Sequence, residues 1–144
     1  MTACSTSAHI AGQYLTVRID VVAAIIRRNG RILLTKRLGN VHLAGLWEFP
    51  GGKVEAGESL PAALEREIRE ELGIKVRVAG EFSTIEHDYP TKSVCLHFFD
   101  CSILDGEPQR FGVADYQWIE PARLGDFEFP PADAELIRRL QSSE

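Results

Sequence analysis

The chain is poor in cysteine, has no excess of basic residues and contains no long apolar run. Its three cysteines, Cys4, Cys95 and Cys101, form no C-x-x-C pair and leave an odd thiol, which points to a reduced, cytoplasmic compartment. Sixteen Lys and Arg against 21 Asp and Glu give a net charge of −5. That balance excludes an ordinary duplex nucleic-acid binder, whose domain would carry a pI above about 9. It leaves room for a small anionic substrate, because local charge can oppose the net sign. No stretch approaches the ~18 consecutive apolar residues of a membrane-spanning helix. The first sixteen residues lack a basic start followed by an apolar stretch, so they read as a flexible leader rather than a secretory signal.

What is present is a chain of 144 residues that is 44% apolar and 26% charged, enough for one domain, expected over residues 17–142. At this size folding buries roughly 70% of the unfolded surface, and a core forms without disulfide or metal staples. No repeat or low-complexity segment interrupts it.

Val17 to Arg28 is rich in β-branched residues, with Val17, Ile19, Val21, Ala23 and Ile25 on one face, and predicts a strand. Asn29-Gly30 is a type I′ turn dipeptide, and Arg31 to Arg37 answers as the second strand of a hairpin. An irregular loop from Leu38 to Leu46 leads into Trp47-Glu48-Phe49-Pro50-Gly51-Gly52, where Pro and two glycines are expected to end any strand. Ser59 predicts a helix N-cap, Pro61 is tolerated in the first turn, and Gly73 supplies the stop after Leu72. Ile74 to Val78, Glu81 to Tyr89 and Lys92 to Leu104 then read as strands, with turns at Pro90-Thr91 and at Asp105 to Pro108. Tyr116 to Ile119 reads as a short strand. Pro131 to Leu140 reads as a closing helix with Ala134, Ile137 and Leu140 inward. Strands alternating with two good helices predict an α/β (α+β) fold, a mixed β-sheet sandwiched between helices.

The chemistry concentrates in Gly51 to Ile74. At about 100° per residue, Glu67, Glu70 and Glu71 fall on one stripe of the helix, while Leu64, Ile68 and Leu72 centre about 100° away and face the core. Like charges at i, i+3 and i+4 cost helix stability. The arrangement gains its worth when a hard divalent cation with oxygen ligands is bound, and Mg²⁺ takes a few carboxylates plus substrate phosphate oxygens. Arg66 and Arg69, interleaved with the acids, can restrain their orientation. Between Lys53 and Glu71 six acids face three bases, so more than half of the chain's excess negative charge is local to this segment.

Gly52, Glu58, Arg66, Glu67, Ile68, Glu70, Glu71, Gly73 and Ile74 match every position of the Nudix box: glycine, five residues, glutamate, seven residues, then Arg-Glu-aliphatic-any-Glu-Glu-any-Gly-aliphatic. A chance match at this composition is on the order of one in a million. Leu46 to Lys53 ahead of the box and Phe129-Pro130-Pro131-Ala132 near the end resemble the MutT branch of the Nudix hydrolases, and the resemblance spans about residues 17 to 140. It implies a Nudix fold with a loop-helix-loop box. It also implies a Mg²⁺- or Mn²⁺-dependent hydrolysis of a nucleoside triphosphate to the monophosphate and pyrophosphate, of the kind that sanitises the nucleotide pool.

Residue by residue, the resemblance assigns metal binding to the Gly51 carbonyl, Glu67, Glu70 and Glu71, with Glu67 or a neighbouring box glutamate orienting or deprotonating the attacking water. A metal on phosphate oxygens neutralises developing charge and makes water a better nucleophile. Gly52, Glu58, Arg66 and Gly73 take structural roles, and Arg37 and Lys53 fall near the phosphates. A further metal-binding glutamate of MutT-like enzymes falls on Gly112 here, with Asp115 the nearest acid. The asparagine that follows Phe-Pro-Pro-Ala in the MutT pattern is Asp133. An ionised carboxylate only accepts hydrogen bonds, which suits the amino group of cytosine; a protonated one also donates, which suits 8-oxoguanine if burial raises the pKa. Tyr89 and Phe129 are candidate stacking surfaces. The resemblance thus implies 8-oxo-dGTP or CTP/dCTP-type substrates, a small nucleotide partner, neither duplex nor membrane, and a monomer or homodimer. Alternative readings are an ADP-ribose or nucleoside-diphosphate-sugar hydrolase, since Pro90 stands at a spacing found there too, and a non-catalytic Nudix-fold nucleotide-binding module.

Overall fold

A computed structural model describes residues 17–39 and 45–142; the leader and part of the loop after Arg37 lie outside the described residues. Among the described residues seven strands form one mixed sheet. Its elements are β1 (Val17–Arg28), β2 (Arg31–Lys36), β3 (Trp47–Glu48), β4 (Gly51–Lys53), β5 (Lys75–Asp88), β6 (Lys92–Asp105) and β7 (Asp115–Ile119). The order is β3-β2-β1-β6-β5, with β4 added to β1 and β7 to β2. Two helices, α1 (Leu60–Leu72) and α2 (Ala134–Ser142), accompany it.

The long strand β1 organises the rest. It runs parallel to β6 from Val17↔Lys92 to Ile26↔Cys101, and its far end turns through Asn29 and Gly30 into β2. Both turn residues have positive φ, 54° and 76°, as a type I′ turn requires. Alternation then divides β1 between two cores. Val22, Ala24 and Ile26 pack with Leu64, Ile68 and Leu72 of α1; Ala23 and Ile25 pack with Phe49, Phe98, Leu136 and Leu140 on the α2 side.

Helix α1 begins where Ser59 Oγ accepts the Ala62 N–H at 3.2 Å and ends where Gly73 adopts φ 69° and returns its N–H to the Arg69 carbonyl. Its stripe Leu64, Ile68 and Leu72 is fully buried.

Four expectations change. Gly51–Lys53 continues as β4, antiparallel to Val21–Ala23, because pairing with β1 supplies what local propensity lacks. The two strands expected around Gly80 form one, β5, which absorbs the intervening residues as irregularities between Val78 and Ser83. Pro131–Asp133 is a 3₁₀ turn, so the closing helix starts at Ala134. Leu136 and Leu140 consequently form the buried i, i+4 pair, Ile137 packs partly against them, and Ala134 is exposed. No helix among the described residues is long and apolar enough to cross a membrane.

Candidate active site

The start of the box is a backbone laid directly against its neighbours. A Cβ at Gly51 would run into the Val22 carbonyl of β1, and one at Gly52 would run into the Glu67 carboxylate. Two successive glycines therefore let β4 pair with β1 on one side and receive an acid of α1 on the other. Gly51→Ala should lower unfolding free energy by about 3 kcal/mol or more in urea titrations, since backbone cannot yield. Gly52→Ala should leave the fold nearer to wild type, because a side chain can move, yet lower turnover at least about tenfold by displacing Glu67.

Arg66 gathers the acids. Its Nε donates to Glu58 Oε2 at 2.6 Å and its Nη1 to Glu67 Oε2 at 2.9 Å and Glu70 Oε1 at 3.3 Å, while Nη2 reaches the Lys53 carbonyl at 3.2 Å. Arg66 thereby ties loop, strand and helix together and holds Glu67 toward Gly52. The bond from Arg66 first, then the Glu55 N–H donated to Glu58 Oε1 at 3.0 Å, hold the Glu58 carboxyl down at about 2. Burial pushes Glu67 up, against the pull of Arg66. Among the described residues the Arg69 side chain, exposed on α1, forms no ion pair with these acids.

Glu71 is half-buried, and its carboxyl is the one of the three helix acids pushed furthest from its usual range. Burial first, then repulsion from Glu48 and Glu67, pushes it up to about 8, and the Gly51 N–H and Arg37 offset this only in part. Its Oε1 is buried with no hydrogen-bond partner. A buried carboxylate oxygen left unsatisfied, beside a second acid seated in a glycine cradle, fits a hard cation with oxygen ligands. Glu67, Glu71 and the adjoining Gly51 carbonyl are suited to hold it, and Glu70 stands exposed one turn away, 3.3 Å from Arg66.

Glu71 opens into a cavity of about 560 Å³ whose wall also includes Arg37, Glu48, Gly52, Lys53, Tyr89 and Asp133. Asp133 is buried at 7% exposure, fixed where the 3₁₀ turn hands over to α2. Arg139 of α2 anchors that end of the fold by donating to Ser83 Oγ at 2.8 Å. Burial, reinforced by the charge of Glu48, raises Asp133 to about 7.

The remaining expected residues divide. Phe129 does not line the cavity; its ring stacks on Phe49 with centroids 5.7 Å apart, because an apolar ring there completes the α2-side core. Gly112 lies on the end of α1, its N–H bonded to the Glu71 carbonyl at 3.0 Å. Asp115 caps its own neighbour Tyr116 N–H at 2.8 Å and pairs with Arg110 at 3.5 Å, and it is not part of the cavity wall. Three polar wall residues escaped the sequence reading: His87, Glu48 and Lys92, whose Nζ lies 5.3 Å over the Tyr89 ring. His87 meets Tyr89 edge-on at 4.6 Å, and Glu48 pairs with Arg37 at 2.7 Å. For Glu48 a signal existed: it is the one acid in the apolar run Leu46 to Pro50.

A glycine-led helix carrying three acids, of which Glu71 lines a pocket shared with Arg37, Lys53 and the buried Asp133, fits a hydrolase of small anionic ligands that uses a divalent metal. The chain belongs to the Nudix family: the NUDIX domain profile matches residues 21–139. An 8-oxo-dGTP diphosphatase of Haemophilus influenzae is 43% identical over 125 residues, 85% of this chain and 90% of that protein. A CTP pyrophosphohydrolase of Escherichia coli K12 is 40% identical over 124 residues, 86% and 92% of the two chains. The solution structure of the E. coli ORF135 protein superposes with a TM-score of 0.77 at 37% identity, covering 88% of this chain and 91% of the other. The chain is thus a MutT-like Nudix hydrolase.

Proposed function

We propose that the protein hydrolyses (deoxy)nucleoside triphosphates to the monophosphate and pyrophosphate, clearing 8-oxo-dGTP or acting on CTP/dCTP-type nucleotides in the cytoplasm, as a monomer or homodimer and without engaging duplex nucleic acid. The observation that carries this reading is one cavity whose wall brings together Glu71, the cations Arg37 and Lys53, and the buried acid Asp133. Phosphates, their charge and a base each find a complementary group there.

Mg²⁺, with Mn²⁺ as a substitute, would be held by Glu67, Glu70, Glu71 and the Gly51 carbonyl, supplying charge neutralisation at the phosphates and a more acidic water. The chain's own groups do the rest. Arg66 fixes Glu67 so that its carboxylate can orient or deprotonate the attacking water. Arg37 and Lys53 face the phosphate charge, Tyr89 offers an aromatic surface, and Asp133 reads the base edge.

The test is pyrophosphate release from CTP, dCTP, 5-methyl-dCTP, dGTP and 8-oxo-dGTP in Mg²⁺. Pyrophosphate should appear from at least one cytosine or 8-oxoguanine nucleotide in preference to dGTP. Binding without hydrolysis of any of them would favour a non-catalytic module, and AMP release from ADP-ribose alone would favour the nucleoside-diphosphate-sugar class.

A further inference from the structure

The short segment Trp47 to Gly52 touches each part of the cavity. Glu48 lies in β3, directly across from Thr35 of β2, and this pairing brings its carboxylate to Arg37 just beyond the end of β2. The Arg37 Nη1 donates to Glu48 Oε1 at 2.7 Å, with the two side chains only 28% and 22% exposed. Residues on either side of Glu48 grip the segment that leads to Asp133. The Trp47 N–H donates to the Glu128 carbonyl at 2.8 Å, the Trp47 ring meets Phe127 edge-on at 5.2 Å, and Phe49 stacks on Phe129. Three residues further along, Gly51 and Gly52 adjoin the box acids. Glu48 therefore pairs with Arg37 and stands close enough to Asp133 to raise its carboxyl, in a frame with little freedom.

We propose that Glu48 is a positioning residue: it fixes the Arg37 guanidinium in register with Asp133, so that the cavity takes a nucleoside 5′-phosphate with phosphate and base at one set separation. The proposal rests on reading the cavity as a nucleotide site. Its physical basis is preorganisation. An arginine side chain without a fixed partner loses considerable rotamer freedom on gripping a phosphate, and a charge-assisted bond made beforehand removes that loss from the binding step. Glutamine at 48 keeps an acceptor of the same shape but loses the charge, whereas alanine loses both. Glu48 also raises the Asp133 carboxyl through its charge, so removing the charge lets Asp133 ionise at lower pH.

The experiment is calorimetric titration of metal-free protein with dCMP, 8-oxo-dGMP and the matching nucleosides, for wild type, Glu48→Gln, Glu48→Ala, Arg37→Ala and the double variant, with thermal unfolding as the check on folding. At pH 8.5, where Asp133 is ionised in wild type and variant alike, Glu48→Ala should weaken the monophosphate that wild type prefers by about 10-fold or more and leave its nucleoside within about twofold. Glu48→Gln should fall between, and its pH profile for binding should move to lower pH. Arg37→Ala should lose as much as Glu48→Ala, and the double variant no more than either. Equal weakening of nucleoside and monophosphate, or losses that add, would overturn the positioning role. Wild type that binds neither monophosphate would overturn the nucleotide reading and the proposal with it; firm wild-type binding unchanged in both Glu48 variants would overturn the role of Glu48 alone.

Discussion

Replacing Glu71 by Gln should lower triphosphate turnover by about three orders of magnitude and, without metal, make the protein more stable at pH 8.5. The two effects have one cause. Glu71 is half-buried with its Oε1 fully buried and unpartnered, near Glu48 and Glu67 and bonded to the Gly51 N–H. Folding without a cation lifts its carboxyl from 4.5 to about 8. A folded pKa above the unfolded one means that stability is greatest below 4.5 and is lost as pH rises toward 8. Glutamine, which has the same shape and no charge, escapes that loss, a difference of about 2–4 kcal/mol above pH 8. Added Mg²⁺ should reverse the order by raising the melting temperature of wild type and leaving that of the variant nearly unchanged. Thermal unfolding with and without Mg²⁺ at pH 5 and pH 8.5, beside steady-state kinetics, checks each part. A variant that keeps wild-type turnover, or that gains as much from Mg²⁺ as wild type, would remove Glu71 from the metal site.

The local signals of the chain were legible wherever a residue's role is decided within its own turn or helix. Asn29-Gly30 announced a hairpin because two positive φ values admit few other residues; Ser59, Gly73 and the Leu64, Ile68, Leu72 stripe announced α1 for equally local reasons. The stripe of acids was legible because their spacing puts them on one face of α1, but a joint role for them came from the flanking glycines, Glu58 and the resemblance. What escaped depends on contacts distant in sequence. Gly51–Gly52 read as a terminator, yet the missing side chains are what allow β4 against Val22 and Glu67 in its cradle. Phe129 read as a stacking surface, but Phe49, eighty residues earlier, claims it for the core. Glu48 was read only as part of a resembling segment, since its partner Arg37 reaches it through the pairing of β2 with β3. Even β5, one strand where two were expected, takes its continuity from the length of β6 rather than from its own residues.

Asp133→Asn should flatten the dependence of base preference on pH and stabilise the protein above neutrality. Asp133 is 7% exposed, and burial, followed by the charge of Glu48, raises its carboxyl from 3.8 to about 7. Below about pH 7 it is a neutral acid that both donates and accepts, matching the O6 and N7–H of 8-oxoguanine, whereas cytosine needs only an acceptor for its amino group. Above it, the ionised carboxylate only accepts; the cytosine amino group still satisfies it, whereas the O6 of 8-oxoguanine now faces a second acceptor. Catalytic efficiency on 8-oxo-dGTP should therefore fall by about tenfold relative to dCTP between pH 6.5 and pH 8.5. Asparagine donates and accepts at every pH, so the variant should hold the ratio constant. The stability effect has the same sign as at Glu71: the folded pKa lies above the unfolded one, so stability is complete below 3.8 and lost as pH rises through 7. Wild type and variant should melt alike at pH 4 and differ by at most about 4 kcal/mol at pH 8, in favour of asparagine. A substrate ranking that shifts with pH equally in both proteins would take Asp133 out of base recognition, and equal stability at pH 8 would place its carboxyl in contact with water.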